Sequence, residues 1–211
     1  MFSKFFRSKP AKKTIEGYAK LNMRLRPEAR GQLFEEPLIT ALEESKLGAV
    51  TGGGSRVGPS GGKSGEGDEG LEVQWCAIDV QMVDAERSAQ LICNCLNRHG
   101  AAKGSQLEFY VENERYVADF GVSEGISLYL SGTDLPKEVY EQHKFNDVMR
   151  LMNELIAPEP GGRGTVLDCW HGPTESAIYM YGRSAELMET AIAPLLATNP
   201  LCKGARVVVI A

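Results

Sequence analysis

The sequence predicts an α+β protein built from two β-α-β-β-α-β repeats, each an antiparallel four-stranded sheet with two helices on one face. Three observations carry that prediction. Residues 77–111 lie without a gap over residues 177–211 with eight identities in 35 positions, among them Ala77/Ala177, Ile78/Ile178 and Gly104/Gly204, where unrelated segments of ordinary composition share roughly two. In both copies an alternating strand runs into a capping residue, Asp84 or Ser184, and then a helix with an apolar stripe. Both copies then reach a Lys-Gly pair and a second alternating strand.

Residues 1–13, "MFSKFFRSKPAKK", hold five cations and no acid and read as a basic, poorly ordered segment. They lack the apolar run of a secretory signal. Phe2, Phe5 and Phe6 among cations could graze an anionic membrane, but a plain basic start is the favoured reading.

Repeat 1 is expected over 14–113. Ala19, Leu21, Met23 and Leu25 alternate on one side of a first strand. A helix is expected from about Pro37, a good first-turn residue, to a stop at Gly48, burying Leu38, Ala41 and Leu42. A hairpin from about Ala49 to Met82 encloses a Gly-rich loop, 58–70. Within it "VGPSGGKS" ends like a phosphate-binding loop, but Val57 stands where the first Gly must be. The sequel "GEGDEG" opens no helix and carries three carboxylates, so the stretch reads as a connector.

Repeat 2 is expected over 114–211. Ile126, Leu128 and Leu130 alternate, and a helix carries Val148, Leu151, Met152 and Leu155. A short Gly172-Pro173 turn joins Thr165–His171 to Glu175–Tyr181. Pro194 inside the last helix predicts a kink.

Parity sets Ile78, Val80, Met82, Leu107, Phe109 and Val111 toward the helices of the first repeat, and Ile178, Met180, Val207 and Val209 toward those of the second. The opposite faces are then aromatic: Tyr18, Lys20, Asn22, Arg24, Trp75, Ala77, Asp79 and Tyr110 in the first, with Asp79, Lys20 and Arg24 as polar anchors of any pocket, and Tyr129, Ala177, Tyr179, Tyr181, Val208 and Ile210 in the second. Such faces pack against each other, pack against a second copy in a homodimer, enclose a pocket, or dock a partner. The candidate ligand or partner surface is Trp75, Asp79, Tyr110, Asp168, Trp170, His171, Tyr179 and Tyr181. On the strand 165–171, Asp168 and Trp170 share one side and Cys169 and His171 the other, and parity alone does not say which side meets the helices.

A Cys169–His171 pair on one strand face suggests an activated thiol, but strand neighbours at i and i+2 stand about 6–7 Å apart, and no third group orients them. A buried Cys and a turn-edge His is the favoured reading. His99 is expected to end a helix, His143 to be solvated, and Glu35-Glu36 and Glu43-Glu44 to lie on a solvated helix surface. Five cysteines without C-x-x-C spacing, and three scattered histidines, predict reduced thiols in a cytoplasmic protein, with no metal and no cofactor. Subtracting the five N-terminal cations from the formal −5 leaves −10 for residues 14–211, which argues against a nucleic-acid partner.

The doubled pattern resembles the ferredoxin-like, or split βαβ, superfold over about residues 14–211, an alpha-beta plait that hosts many activities and so implies none. RNA-recognition motifs share that topology, but their aromatic-rich basic strand is missing: "GSQLEFYV" has no basic residue. The stretches "LGAVTGGGS", "HGPTESAIYMYG" and "ARVVVIA" are similar to segments of uncharacterised bacterial proteins of this build. That similarity carries over no functional residue. The expectation is therefore a non-catalytic cytoplasmic binding protein, regulatory or toxin-neutralising, acting through the aromatic sheet faces on a protein partner. The alternative is a small-molecule-binding enzyme with its site between the two repeats.

Overall fold

The structure, a computed structural model, describes residues 14–60, 70–157 and 163–211. The segment 1–13 and most of the loop 58–70 lie outside the described residues. The chain forms two α+β lobes, each an antiparallel sheet with helices on one face.

In lobe 1 the chain runs β1 (Ile15–Leu21), α1 (Pro27–Arg30), a π turn (Gly31–Glu35), α2 (Glu36–Ser45), β2 (Gly48–Pro59), β3 (Leu71–Met82), α3 (Ala85–Arg98), β4 (Ser105–Val111) and β5 (Glu114–Phe120). The strand order is β2-β3-β1-β4-β5. The expected four-stranded sheet therefore has a fifth strand. Residues 114–120, expected in repeat 2, pair with β4 from Ser105↔Phe120 to Val111↔Glu114.

The first helix also starts ten residues before the expected Pro37. Pro27 takes the first-turn position instead. Pro37 follows the π turn, where Glu36 N–H donates to Gly31 O. The wider turn is where a helix absorbs a proline that has no N–H and crowds the preceding turn. Lys46, at φ 57°, ends the helix in place of Gly48. Phe34, Leu38 and Leu42 fill the core, with Ala41 half-buried.

Lobe 2 runs β6 (Glu124–Ser131), α4 (Lys137–Gln142), α5 (Phe145–Ile156), β7 (Gly164–His171), β8 (Glu175–Gly182), α6 (Ala185–Thr198), a 3-10 turn (Pro200–Cys202) and β9 (Arg206–Val209), in the order β7-β8-β6-β9. Its core gathers Ile126, Leu128, Ile178 and Met180 under Val148, Met152, Ile156, Met188 and Ile192. Leu155, expected in that core, is 38% exposed and Ile156 takes its place. Val209, expected under the helices, is 63% exposed. Pro194 lies inside a helix that runs on to Thr198.

The expected caps form in both lobes at matching positions. Asp84 accepts from Arg87 N–H at 2.9 Å and Ser184 from Leu187 N–H at 3.3 Å, each holding an orphan donor of the first turn. His99 closes α3 as expected. Between the lobes Gly121, at φ +113°, lets the chain turn so tightly that an added Cβ would lie 2.0 Å from Ala102 O.

Candidate functional site

The register fixes what parity left open. In β7 the pairing slips between Val166↔Met180 and Asp168↔Tyr179, so Leu167 is an extra residue of the kind that re-aims a strand. Beyond it, Asp168 and Trp170 lie opposite Tyr179 and Ala177, on the side away from the helices. Cys169 and His171 lie opposite Ile178 and Ser176, on the helix side.

The aromatic face of lobe 2 is covered, but by a part of lobe 1 that was not expected. Tyr129, Ala177, Tyr179 and Tyr181 are nearly fully buried and belong to the core of lobe 1. They meet the segment after β1 and the overhanging end of the β2–β3 hairpin. The two aromatic faces thus do not pack together. The lobe 1 face that carries Trp75, Asp79 and Tyr110 remains open, with Tyr18 37% and Tyr110 52% exposed.

The centre of the interface is Glu72, a fully buried carboxylate. It accepts from Tyr179 Oη at 2.6 Å, from Tyr129 Oη at 2.9 Å, and from Arg24 Nη1. Arg24 also donates Nη1 to Tyr129 Oη at 2.6 Å and its backbone N–H to Tyr181 Oη at 2.8 Å. Burial and then the Glu72 carboxylate push the Tyr179 phenol well above its ordinary range, and burial does the same to Tyr181. Burial alone would pull Arg24 down, but Glu72 and the phenols outweigh it and its pKa rises. The network therefore joins one carboxylate, one guanidinium and three neutral phenols, which satisfies charge and hydrogen bonds inside a buried interface. Glu72 falls on the even-numbered, buried positions of β3 with Cys76, Ile78 and Val80, but a carboxylate there gives no apolar signal, and the β2–β3 pairing slips between Arg56 and Val57 just before it.

Next to this network stands a second ion pair. Arg26 reaches Asp168 through its backbone N–H, Nε and Nη2, each at 2.7 Å. Asp168 is buried, whereas the Arg26 side chain is 65% exposed. Trp170 Nε1 donates to Leu71 O across the lobes at 2.9 Å. The Trp170 ring lies so close over Gly172 and Gly70 that an added Cβ would meet it at 2.1 and 3.1 Å.

A cavity of about 250 Å³ opens here, lined by Arg24, Arg26, Val73, Asp168, Cys169, Trp170, His171 and Tyr179. A second, of about 320 Å³, runs along β7 under Asn146, Met149, Arg150 and Asn153 of α5. The two share Arg26, Asp168 and Cys169, so the ion pair stands at their divide. Of the eight candidate residues, Asp168, Trp170, His171 and Tyr179 come together here with Tyr181 packed close by, while Trp75, Asp79 and Tyr110 lie on the open face of lobe 1.

The Cys169–His171 pair does not form. His171 Nδ1 lies 2.9 Å from Ser176 Oγ and its ring meets Phe145 edge-on at 4.6 Å. Burial pushes the Cys169 thiol up, with Arg26 pulling the other way, so it is mostly protonated at neutral pH and a poor nucleophile. Glu35, expected to be solvated, instead pairs at 2.5 Å with the buried Arg30, which also donates to Gly54 O at 2.8 Å. Among the described residues no group of three His, Cys, Asp or Glu could hold a metal ion. All five cysteines are free, and burial raises Cys76 to about 12 and Cys202 to about 11. Among the described residues no helix is long and apolar enough to cross a membrane.

No family model matches the chain, and no curated protein matches it. Among solved structures it is similar to a protein described as a "putative monooxygenase" from Fusobacterium nucleatum subsp. nucleatum ATCC 25586, at 8% identity and a TM-score of 0.29 over 93% of this chain and 90% of that one. Another "putative monooxygenase", from Lactobacillus acidophilus NCFM, gives 12% identity and a TM-score of 0.25 over 94% of each chain. The first two RRM domains of yeast poly(U) binding protein give 10% and 0.25, over 92% of this chain and 99% of that one. Likenesses of this size carry neither an activity nor a ligand to this chain.

Proposed function

We propose that the chain binds a small molecule in the cleft between its lobes, beside β7. One observation carries the reading: a cavity walled by both lobes collects directed polar groups and a flat ring at one place. The Arg26 guanidinium has Nη1 without a partner among the described residues, and His171 and the indole of Trp170 border the same space. That is the make-up of a ligand site, apolar and aromatic walls with a few aimed polar groups. At about 250 Å³ it suits a compact molecule that can stack on Trp170 and accept from Arg26. The lining offers no activated nucleophile, so we read binding without covalent chemistry.

Two wider readings accompany it. The lobes are two copies of one split βαβ repeat, supported by the matching strand orders (with β5 as an addition), the matching caps, and the paired registers Ala19↔Ile78 and Leu128↔Ile178. Five free cysteines support a reducing compartment such as the cytoplasm.

The test is native mass spectrometry of the full chain purified from its host. A small molecule should be retained, and should be lost in Arg26→Ala and Trp170→Ala while circular dichroism stays native. A protein that arrives empty, or carries only a co-purifying polypeptide, sinks the cleft as a ligand site.

A further inference from the structure

The face of lobe 1 opposite its helices is open, and its chemistry differs from that of the cleft. A broad depression of about 420 Å³ is lined by Glu16, Tyr18, Thr51, Asp79, Glu108 and Tyr110, with Gly17 at its floor. Three of these residues are carboxylates and none is a cation. Arg115 reaches Glu108 from the next strand at 2.5 Å, and that bond is the main reason Glu108 stays ionised down to about pH 2. Tyr18 and Tyr110 donate to the two oxygens of that same carboxylate, at 3.0 and 3.1 Å. One acid thus fixes both rings at the depression, before anything binds.

The glycine run of the edge strand leaves the face beside the depression bare. Gly52 pairs with Asp79 and Gly54 with Ala77. A Cβ on Gly52 would sit 3.3 Å from Asp79 Oδ2, while one on Gly54 would meet nothing within 4 Å. A few residues away the same face already holds an amine against a ring: Lys20 Nζ lies 5.1 Å from the centroid of Trp75, the geometry of a cation–π contact. The −10 charge of residues 14–211 adds long-range attraction of the same sign.

We propose that this face docks a lysine- or arginine-bearing segment of a partner protein, with one cationic side chain seated at Tyr18 and Tyr110 against Asp79. Charge complementarity chooses the occupant: with Glu108 held by Arg115, an acidic partner or the phosphates of a nucleic acid would still meet Glu16 and Asp79.

The probe is a fluorescein-labelled peptide of alternating lysine and glycine, titrated into the full chain at about 0.15 M salt, where the screening length is about 8 Å, and followed by anisotropy. Asp79→Lys and Tyr110→Ala should each weaken binding about tenfold or more, because a like charge or a lost ring acts at the seat itself. Glu154→Lys, on the exposed surface of α5, should change it less than about twofold, as charge beyond a screening length does. A glutamate–glycine peptide should not bind. Equal losses in Asp79→Lys and Glu154→Lys would mean a diffuse response to net charge and would overturn the proposal. Self-association abolished by Asp79→Lys would put a second copy on the face, and binding seen only after removal of residues 1–13 would put the chain's own basic start there. Either result overturns it.

Discussion

The same sheet face exists twice in this molecule, and the two versions have opposite fates. Pairing to Ala77 and Ala177 puts Lys20 of lobe 1 where lobe 2 has Tyr129, and the hundred-residue offset puts Asp79 where lobe 2 has Tyr179. Gln81 likewise corresponds to Tyr181, and Glu108 to Val208. The lobe 2 set is buried against lobe 1, while the lobe 1 set faces solvent. Three phenols can enter a buried interface because each carries a large apolar ring and a single hydroxyl that needs one partner. A lysine and an aspartate at the same places would each add a full charge to an interface where Glu72 and Arg24 already pair with each other, at a cost on the order of several kcal/mol. Which face is covered therefore follows from side chains that differ between two faces of matching register.

The largest expected effect comes from removing the acid that makes the covered face work. Glu72→Ala leaves Arg24 charged in the interface and takes the acceptor from Tyr129 and Tyr179. Breaking a buried pair on one side costs about 3–5 kcal/mol. Asp79→Ala, on the open face, should stay within about 0.5 kcal/mol, as exposed substitutions do. Urea denaturation of the two variants measures the contrast directly. Equal losses would mean that the two faces are not differently covered at all.

Much of this arrangement was legible in the sequence. The spacing of Tyr179 and Tyr181 put both rings on one side of β8, and the matched Asp84 and Ser184 caps fixed where α3 and α6 begin. What covers the lobe 2 face was not legible. It depends on the hairpin overhang that delivers Glu72, a carboxylate that carries no apolar signal of its own, past a register slip near Gln74. The slip at Leu167 likewise decides which side Asp168 takes. Pairing geometry creates such slips, and no pattern along a single strand announces them. The fifth strand was missed for another reason. Tyr116, Ala118 and Phe120 do alternate, but 114–120 has no matching strand among the described residues of lobe 2, so the repeat gives no signal for it. The open acidic depression needed β4, β1, β3 and the glycine edge brought side by side before it existed.

A smaller effect sharpens the likeness underneath the difference. Asp84→Ala and Ser184→Ala remove equivalent caps, since each side chain holds the N–H three residues on. Each should cost about 1 kcal/mol, read as similar shifts of the urea midpoint. The shorter bond, 2.9 against 3.3 Å, puts Asp84 at the higher end, helped by its charge at a helix N-terminus. If one cap costs nothing, the two helix starts are not equivalent and the duplicated reading of the lobes weakens.

The smallest effect is in the pH dependence, and it also separates the two faces. Glu108 on the open face is held down to about pH 2, first by the Arg115 hydrogen bond and then by Tyr18 and Tyr110. Its folded pKa lies below the usual carboxylate value, so the stability it adds is fully present above about pH 4.5. That contribution fades as pH falls toward 2, where the folded form also takes up the proton. Wild-type chain and Glu108→Gln should therefore differ in Tm at pH 6 and converge by about pH 2. The difference should shrink in high salt, because the groups are exposed and screened. Glu124, lowered first by the Lys103 hydrogen bond across the lobes and then by the Ala185 N–H, should also lose its share as pH falls below the usual carboxylate range, but less salt-sensitively, since part of its support is a backbone hydrogen bond. A Glu108→Gln difference that persists unchanged at pH 2 would mean that packing of the two tyrosines, rather than charge, is what Glu108 provides. The depression would then keep its rings without needing its anion, and the contrast between an ionic open face and an apolar covered one would rest on Asp79 and Glu16 alone.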